Sequence, residues 1–271
     1  MDEQDLMDAF ASLEPMGDEA PPRHTWERHR WEMRRHVRRD PIAGFLSWPT
    51  VVATMFAGET PFICSELEAL RAQPDWESRW LPAIEDSGVG NAPRMSGESS
   101  ANANMIHQAF HLMMWNKATL REVADLETIT EFGGGYGAMA LVASRLGFRG
   151  TYRMVDFPEM LLLQTYYLSQ HELGCNVEFV PSEPWVVSDT QVADLFIACY
   201  SVSEVALAER GAYVDWAAKS YLLAMQDRWN DVDNLEWWRF MRGCEIQWAG
   251  MEWSLFPMVR PGHWYAMGGM G

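Results

Sequence analysis

Apolar residues in the second half of the chain fall into short blocks that alternate with longer stretches of helical spacing. Thr128-Ile129-Thr130 is a short strand that runs into Glu131 and then a glycine-dense turn holding Gly133, Gly134, Gly135 and Gly137. Ala138–Phe148 follows, made of good helix formers with apolar residues at helical spacing. The order then repeats. Tyr152–Val155 is a second strand ending in Asp156, and Pro158 and Glu159 suit the first turn of a helix. Leu195–Cys199 is a buried strand followed by a polar turn, a helix Glu204–Lys219 and a strand Tyr221–Gln226. A helix Leu235–Arg242 and two strands, Cys244–Trp248 and His263–Ala266, close the chain. Such alternation predicts an α/β fold with a Rossmann-like sheet and helices on both faces.

The first half reads differently. From Asp40 to about Asp125 the pattern is helical with loops: Pro41 starts one helix, and Pro49, Pro61, Pro74 and Pro82 punctuate the run. Ser87–Ser100 is a Gly-, Ser- and Asn-rich loop, and Asn104–Leu120 is a helix. Residues 1–22 are acidic and end in Ala20-Pro21-Pro22, which predicts a mobile tail with at most one weak helical turn. The charge then reverses in HTWERHRWEMRRHVRRD, an amphipathic helix with Trp26, Met33 and Val37 near one face. Its arginines suit pairing with the acidic body, or else docking of an anionic partner or a second subunit. The division expected is 1–40 as tail and arginine helix, 41–125 as a helical cap, and 126–271 as the sheet domain.

Chemistry concentrates at the first strand–turn–helix junction. Glycines let a ligand approach the bare backbone there, and the helix N-terminus presents unpaired N–H groups. Two ligand classes use such a junction. Gly133, Gly135 and Ala138 can be read as a dinucleotide fingerprint. The run E-x-G-x-G-x-G, from Glu131 to Gly137, is instead similar to that of class I methyltransferases. In that family the acid helps hold the amino group of S-adenosylmethionine. Asp156 lies where an acid bonds a ribose hydroxyl pair, which serves either ligand, and it also suits a helix cap. Tyr200, Ser201, Ser203 and Glu204 follow a strand's carboxyl end, where ligands of open α/β sheets lie. Ser201-Val202-Ser203-Glu204 is also a capping box, so Glu204 has two readings. The closing pair of strands fits the antiparallel end of a methyltransferase sheet better than a dehydrogenase's second half.

Together EFGGGYG, YRMVDFPEMLLLQTYYLS and ADLFIACYSVSE resemble a bacterial family of sugar O-methyltransferases, over residues 41–271. Ser99–Trp115 is similar to the helix that precedes the core in that family. The resemblance implies an S-adenosylmethionine-dependent enzyme that methylates a hydroxyl of a sugar or sugar-containing metabolite. It implies donor contacts from Glu131, Gly133, Gly134, Gly135, Gly137, Asp156 and Tyr200, an acceptor pocket shaped by the helical cap, and His111 as general base. Glu204 is the second candidate base, and His107 ranks behind His111.

Other candidates have plainer readings. His107 and His111 lie four apart on one helix face, but no third ligand accompanies them, so no metal is expected. Asp227, Asp231 and Asp233 could hold magnesium, yet a polar loop leading into a helix is the preferred reading. Of the 14 tryptophans, Trp115, Trp237, Trp238, Trp253 and Trp264 could wall a sugar site, though most are expected in the core.

Composition narrows the partners. At 271 residues the chain can bury a substantial core, and 48% hydrophobic with 22% charged residues is ordinary globular usage. A net charge of −17 argues against nucleic acid as a partner. Cys64, Cys175, Cys199 and Cys244 show no paired spacing and read as buried thiols in a reducing cytoplasm. No targeting segment is visible, and the most apolar run, Phe45–Ala57, is too short to span a membrane. The expected partner is a small-molecule or glycan acceptor, with a homo-oligomer as a further option. Two other functions fit less well: a non-catalytic nucleoside-binding protein that recruits a partner, and an NAD-dependent oxidoreductase.

Overall fold

The apolar blocks pair into one sheet. The computed structural model describes residues 1–17, 19–21, 25–96, 101–182, 192–208, 210, 218–243 and 251–270. Besides a two-residue ribbon of Arg228–Trp229 with Val232–Asp233, the strands form one seven-stranded sheet: β1 (Thr128–Phe132), β2 (Thr151–Asp156), β3 (Asn176–Pro181), β4 (Leu195–Cys199), β5 (Ser220–Gln226), β6 (Met251–Pro257) and β7 (His263–Met270). They lie in the order β3-β2-β1-β4-β5-β7-β6. The strands β1 to β5 are parallel, while β7 runs antiparallel between β5 and β6. Alternate residues feed two cores. Ile129, Leu195, Ile197 and Leu222 face one, and Val155, Phe196, Ala198, Tyr221 and Leu223 face the other. Burial on both faces is why these strands read as continuous apolar runs rather than alternating ones.

The helices are α1 (Glu3–Ser12), α2 (Trp26–Arg39), α3 (Pro49–Thr54), α4 (Pro61–Arg71), α5 (Leu81–Ile84), α6 (Ala103–Thr119), α7 (Ala138–Arg145), α8 (Pro158–Ser169) and α9 (Asn234–Gly243). A 3-10 turn, Ile42–Ser47, follows Pro41. Within the first half, α6 is the central element. It packs on α4, on α7 and on β7, so it joins the cap to the sheet. No helix among the described residues is long and apolar enough to cross a membrane.

Several expectations need correction. The acidic N-terminus is not a mobile tail: Asp2 and Asp5 form a capping box for α1, and Leu6 and Phe10 are buried against the body. Two apolar residues four apart form a stripe that can be buried, and this outweighs the polar composition around them. The helix expected over Glu204–Lys219 is absent from its described first part. Val202–Glu204 is a 3-10 turn and Val205 is extended. Arg210 explains the break, because its guanidinium donates to the carbonyls of Ser203 (2.7 Å) and Val205 (2.8 Å) that a helix would use. Residues 211–217 lie outside the described residues, as does the expected strand Cys244–Trp248; the strand that pairs with β7 is β6. Cys64, expected to be buried, is exposed, because α4 turns Ile63, Glu66, Leu67 and Leu70 inward instead. Cys175 and Cys199 are half-buried, and Cys244 is not among the described residues.

The arginine helix is held by a buried charge. Glu159, in the first turn of α8, is fully buried. It accepts from Arg30 Nε at 2.8 Å and from Arg34 Nε at 2.7 Å. Arg34 also donates to the Glu14 carbonyl, and Arg30 lies over the Phe157 ring at 4.7 Å. Met33 and Val37 bury the apolar stripe of the same helix. Glu159→Ala would leave Arg34 buried without its anion, and breaking such a pair costs roughly 3–5 kcal/mol. The expected result is a urea midpoint lowered by that amount. A loss below about 1 kcal/mol would mean that α2 is held by its apolar stripe alone.

Candidate active site

Glycine makes the turn after β1 possible. Gly133, Gly135 and Gly137 have φ of 74°, 58° and 101°, which side chains with a Cβ rarely adopt. Space is equally restrictive at Gly133, where a Cβ would lie 2.3 Å from the Cβ of Ser201. The Gly133 amide donates to Val155 O (2.9 Å), the Gly137 amide to Gly134 O (2.9 Å), and Ser201 Oγ to the Phe132 carbonyl. Thus the turn is clamped between the ends of β2 and β4. Tyr136, at its tip, is buried and accepts from Asn104 Nδ2 of α6 at 3.0 Å.

Two buried carboxyl groups border this turn, close enough for the Asp156 charge to act on Glu131. Glu131, in β1, is buried and accepts from the Tyr152 hydroxyl at 2.9 Å. A Cβ on Gly134 would lie 2.6 Å from Met154 Cε and 2.9 Å from Glu131 Oε2, so a larger residue would have to displace those side chains. Asp156, at the end of β2, accepts from the Phe157 amide and from Gln164 Nε2, both at 2.8 Å. Gln164 Nε2 also donates to Gly135 O at 3.0 Å, tying α8 to the turn. Burial pushes Glu131 up to about 8, helped by the nearby Asp156 charge and opposed by the Tyr152 hydroxyl. Burial likewise lifts Asp156 to about 7 against the Phe157 and Gln164 hydrogen bonds.

A second cluster lies at the carboxyl end of β4. Tyr200 has φ of 72°, a strained value for a tyrosine, and its amide donates to Ala224 O at 2.7 Å. Its ring stacks on His107 (6.4 Å, 22°), lies 6.4 Å from His111, and meets His263 edge-on at 5.4 Å. The Tyr200 ring, an expected donor contact, thus lies among these histidines. His107 Nδ1 lies 2.8 Å from Oε2 of the buried Glu66. His111 is fully enclosed, with Nδ1 2.5 Å from the Tyr265 hydroxyl and Nε2 unpartnered among the described residues. Burial, and then the neighbouring His107, push His111 well below the usual imidazole range. Burial lowers His263 to about 4, with Arg260 adding to the shift. Glu204 lies beside this cluster, in the 3-10 turn: its amide donates to Tyr200 O at 3.1 Å and its charge acts on the Tyr200 hydroxyl, while burial raises its carboxyl to about 7 against a hydrogen bond with Gln226.

The remaining candidates fall elsewhere. Asp233 caps α9 through the Glu236 amide (2.9 Å) and pairs with Arg228 (3.2 Å), while Asp227 and Asp231 are exposed. Trp115 is not part of a ligand wall, since it is fully buried and donates to Ser220 Oγ at 2.8 Å. Trp237, Trp238, Trp253 and Trp264 belong to the core on the far side of the sheet. Asn104, Gln164, Glu66 and His263 were missed as site residues. For Glu66 there was a signal: a carboxylate on the inward stripe of an otherwise apolar helix face is a rare placement that needs a partner.

No protein-family model matches the chain, and no curated protein matches it in sequence. Among solved structures it is similar to a SAM-dependent methyltransferase from Aquifex aeolicus, with 17% identity, 58% of this chain and 88% of that one covered, and a TM-score of 0.44. A glycopeptide N-methyltransferase, MtfA, complexed with S-adenosylmethionine, aligns at 10% identity over 59% of this chain and 87% of that one, with a TM-score of 0.44. The mitomycin 7-O-methyltransferase MmcR aligns at 12% identity over 91% and 68%, with a TM-score of 0.42. Those likenesses are too distant to carry the assignment, which rests on the strand order, the antiparallel β7 and the glycine turn after β1. This is the class I methyltransferase fold.

The raised carboxyls set a sign for pH dependence. Each is neutral in the folded chain at pH values where the unfolded chain ionises it, from 4.5 for Glu131 and 3.8 for Asp156. Their contribution is therefore most favourable below those values. It falls as pH rises and levels off above about 8 for Glu131 and about 7 for Asp156. The slope is at most about 1.4 kcal/mol per pH unit for each proton. Urea midpoints of the wild type should fall more between pH 5.5 and 8 than those of Glu131→Gln. Parallel profiles would show that Glu131 ionises normally.

Proposed function

We propose that the protein transfers a methyl group from S-adenosylmethionine to a hydroxyl of a small acceptor, a sugar or sugar-containing metabolite. The observation that carries the reading is that the buried Glu131 and Asp156 both border the turn of three left-handed glycines at the carboxyl ends of β1 and β2. A ligand there would need a cationic group for Glu131 and hydroxyls for Asp156. S-adenosylmethionine offers both, in its amino group and its ribose. It also brings its own leaving group, so the protein supplies alignment and a base. Asp156 accepts hydrogen bonds from the Phe157 amide, from Gln164 Nε2 and from the Gly134 backbone, and a carboxylate's remaining lone pair is left for a ribose hydroxyl.

The acceptor would enter on the Tyr200 side. Ser201 touches the glycine turn and Tyr200 touches the histidines, so donor and acceptor regions adjoin across one peptide. The sugar is implied by the sequence resemblance alone. The helical cap over 41–125 is proposed as the wall of the acceptor pocket, and the free thiols suit the proposed cytoplasmic location.

Calorimetric titration with S-adenosylhomocysteine, with NAD as comparator, tests the donor site. Micromolar binding of the homocysteine nucleoside is expected, with none for NAD. Bringing an ammonium to Glu131 favours its ionised form and releases a proton. Affinity should therefore rise by up to about tenfold from pH 6 to pH 7, and Glu131→Gln should abolish that rise. Binding of NAD alone would overturn the reading in favour of the oxidoreductase, and binding of neither would favour a non-catalytic role.

A further inference from the structure

We propose that Glu66 and His107 are the general-base pair of this site, with His107 Nε2 receiving the proton of the acceptor hydroxyl. The proposal rests on the methyl-transfer reading above and moves the base away from His111 and Glu204.

Glu66 is a fully buried carboxylate on the inward face of α4, and it meets His107 Nδ1 at 2.8 Å. A carboxylate bound at Nδ1 holds the proton on that nitrogen, so Nε2 keeps its lone pair and can act as a base. The pair also supplies the counter-charge for the imidazolium that forms. His111 lacks this arrangement. Its Nδ1 meets the Tyr265 hydroxyl rather than an anion, and the residue is fully buried where His107 keeps 6% exposure. His111 instead lies against the His107 ring, with centroids 4.1 Å apart, as packing behind it.

Position supports the same choice. Asn104 and His107 stand three apart on α6, and so face the same side of the helix. Asn104 grips the hydroxyl of Tyr136 in the glycine turn and accepts from the Ala57 amide at 3.2 Å. His107 is therefore held in register with the turn that would carry the donor. On its other side it stacks on Tyr200, whose neighbour Ser201 touches Gly133. Tyr200 adopts this position with a left-handed φ of 72°, a conformation costly for a tyrosine.

The step balances without another reactant. The acceptor O–H bond breaks and its proton passes to His107 Nε2, while the oxygen bonds to the donor methyl carbon. The carbon–sulfur bond breaks with its electron pair left on sulfur, which becomes a neutral thioether. His107 then returns the proton to solvent.

The test compares wild type, His107→Gln, Glu66→Met and His111→Gln. Three readouts are taken: labelled-methyl transfer from S-adenosylmethionine to a panel of free and methyl-glycosidic hexoses, calorimetric affinity for S-adenosylhomocysteine, and histidine tautomers by nitrogen-15 NMR. His107→Gln is expected to lose about 10²–10⁴-fold in kcat with unchanged S-adenosylhomocysteine affinity. Glu66→Met, which removes both the charge and the acceptor, should lose about tenfold or more in kcat and also the Nδ1–H tautomer of His107, which a structural role alone does not require. His111→Gln should retain more turnover than either. Retained turnover in His107→Gln, or the Nε2–H tautomer of His107 in the wild type, would overturn the pair; transfer by the wild type to no member of the panel despite bound S-adenosylhomocysteine would overturn the sugar acceptor of the reading beneath it. Failure of the wild type to bind S-adenosylhomocysteine at all would instead overturn the methyl-transfer reading beneath it.

Discussion

The close approach of Gly133 to Ser201 is the constraint on which the site depends. With no Cβ on one side and a small side chain on the other, the turn after β1 and the turn after β4 come into contact. The Ser201 hydroxyl then closes on the Phe132 carbonyl, satisfying a backbone group at a strand end. Because β1 and β4 are neighbours in the sheet, this contact sets the distance between the proposed donor turn and the proposed acceptor cluster. Any larger side chain at either position would push the two halves of the site apart.

The second organising feature is buried acidity. Glu131, Asp156, Glu159 and Glu66 are all withdrawn from water, and each is handled differently. Glu159 is matched by two guanidiniums and ties α2 to the body. Glu66 faces an imidazole. Glu131 and Asp156 have only neutral hydrogen-bond donors, so burial raises both. An unpaired buried carboxyl is costly to ionise, and it is a natural receptor for a ligand that brings the missing positive charge or hydroxyls. Excess negative charge over the chain as a whole does not predict this; its local distribution does.

The cap is joined to the sheet domain by α6. Along one helix, Asn104 reaches the glycine turn, His107 the Tyr200 ring, His111 the Tyr265 hydroxyl and Trp115 the start of β5. Its residues are buried almost all round, which is what a helix packed between two layers requires. A movement of α6 would therefore alter both proposed subsites at once.

Local signals in the chain were enough to place β1 with its glycine turn, β2 with Asp156, β4, β5 and α6, because strand, turn and helix periodicities there depend on neighbouring residues. They also placed the alternation that leads to a mixed sheet. Three things were decided only by tertiary structure. The first turn after β4 did not continue as a helix, because a guanidinium six or so residues on captured its carbonyls. The acidic N-terminus folded because α8 and α2 offered Leu6 and Phe10 a surface. Glu66 found His107 across 41 positions of chain, a pairing that no periodicity encodes. Sequence determines which residues a segment can present on one face, whereas the partner on the other side of that face exists only once the layers have closed.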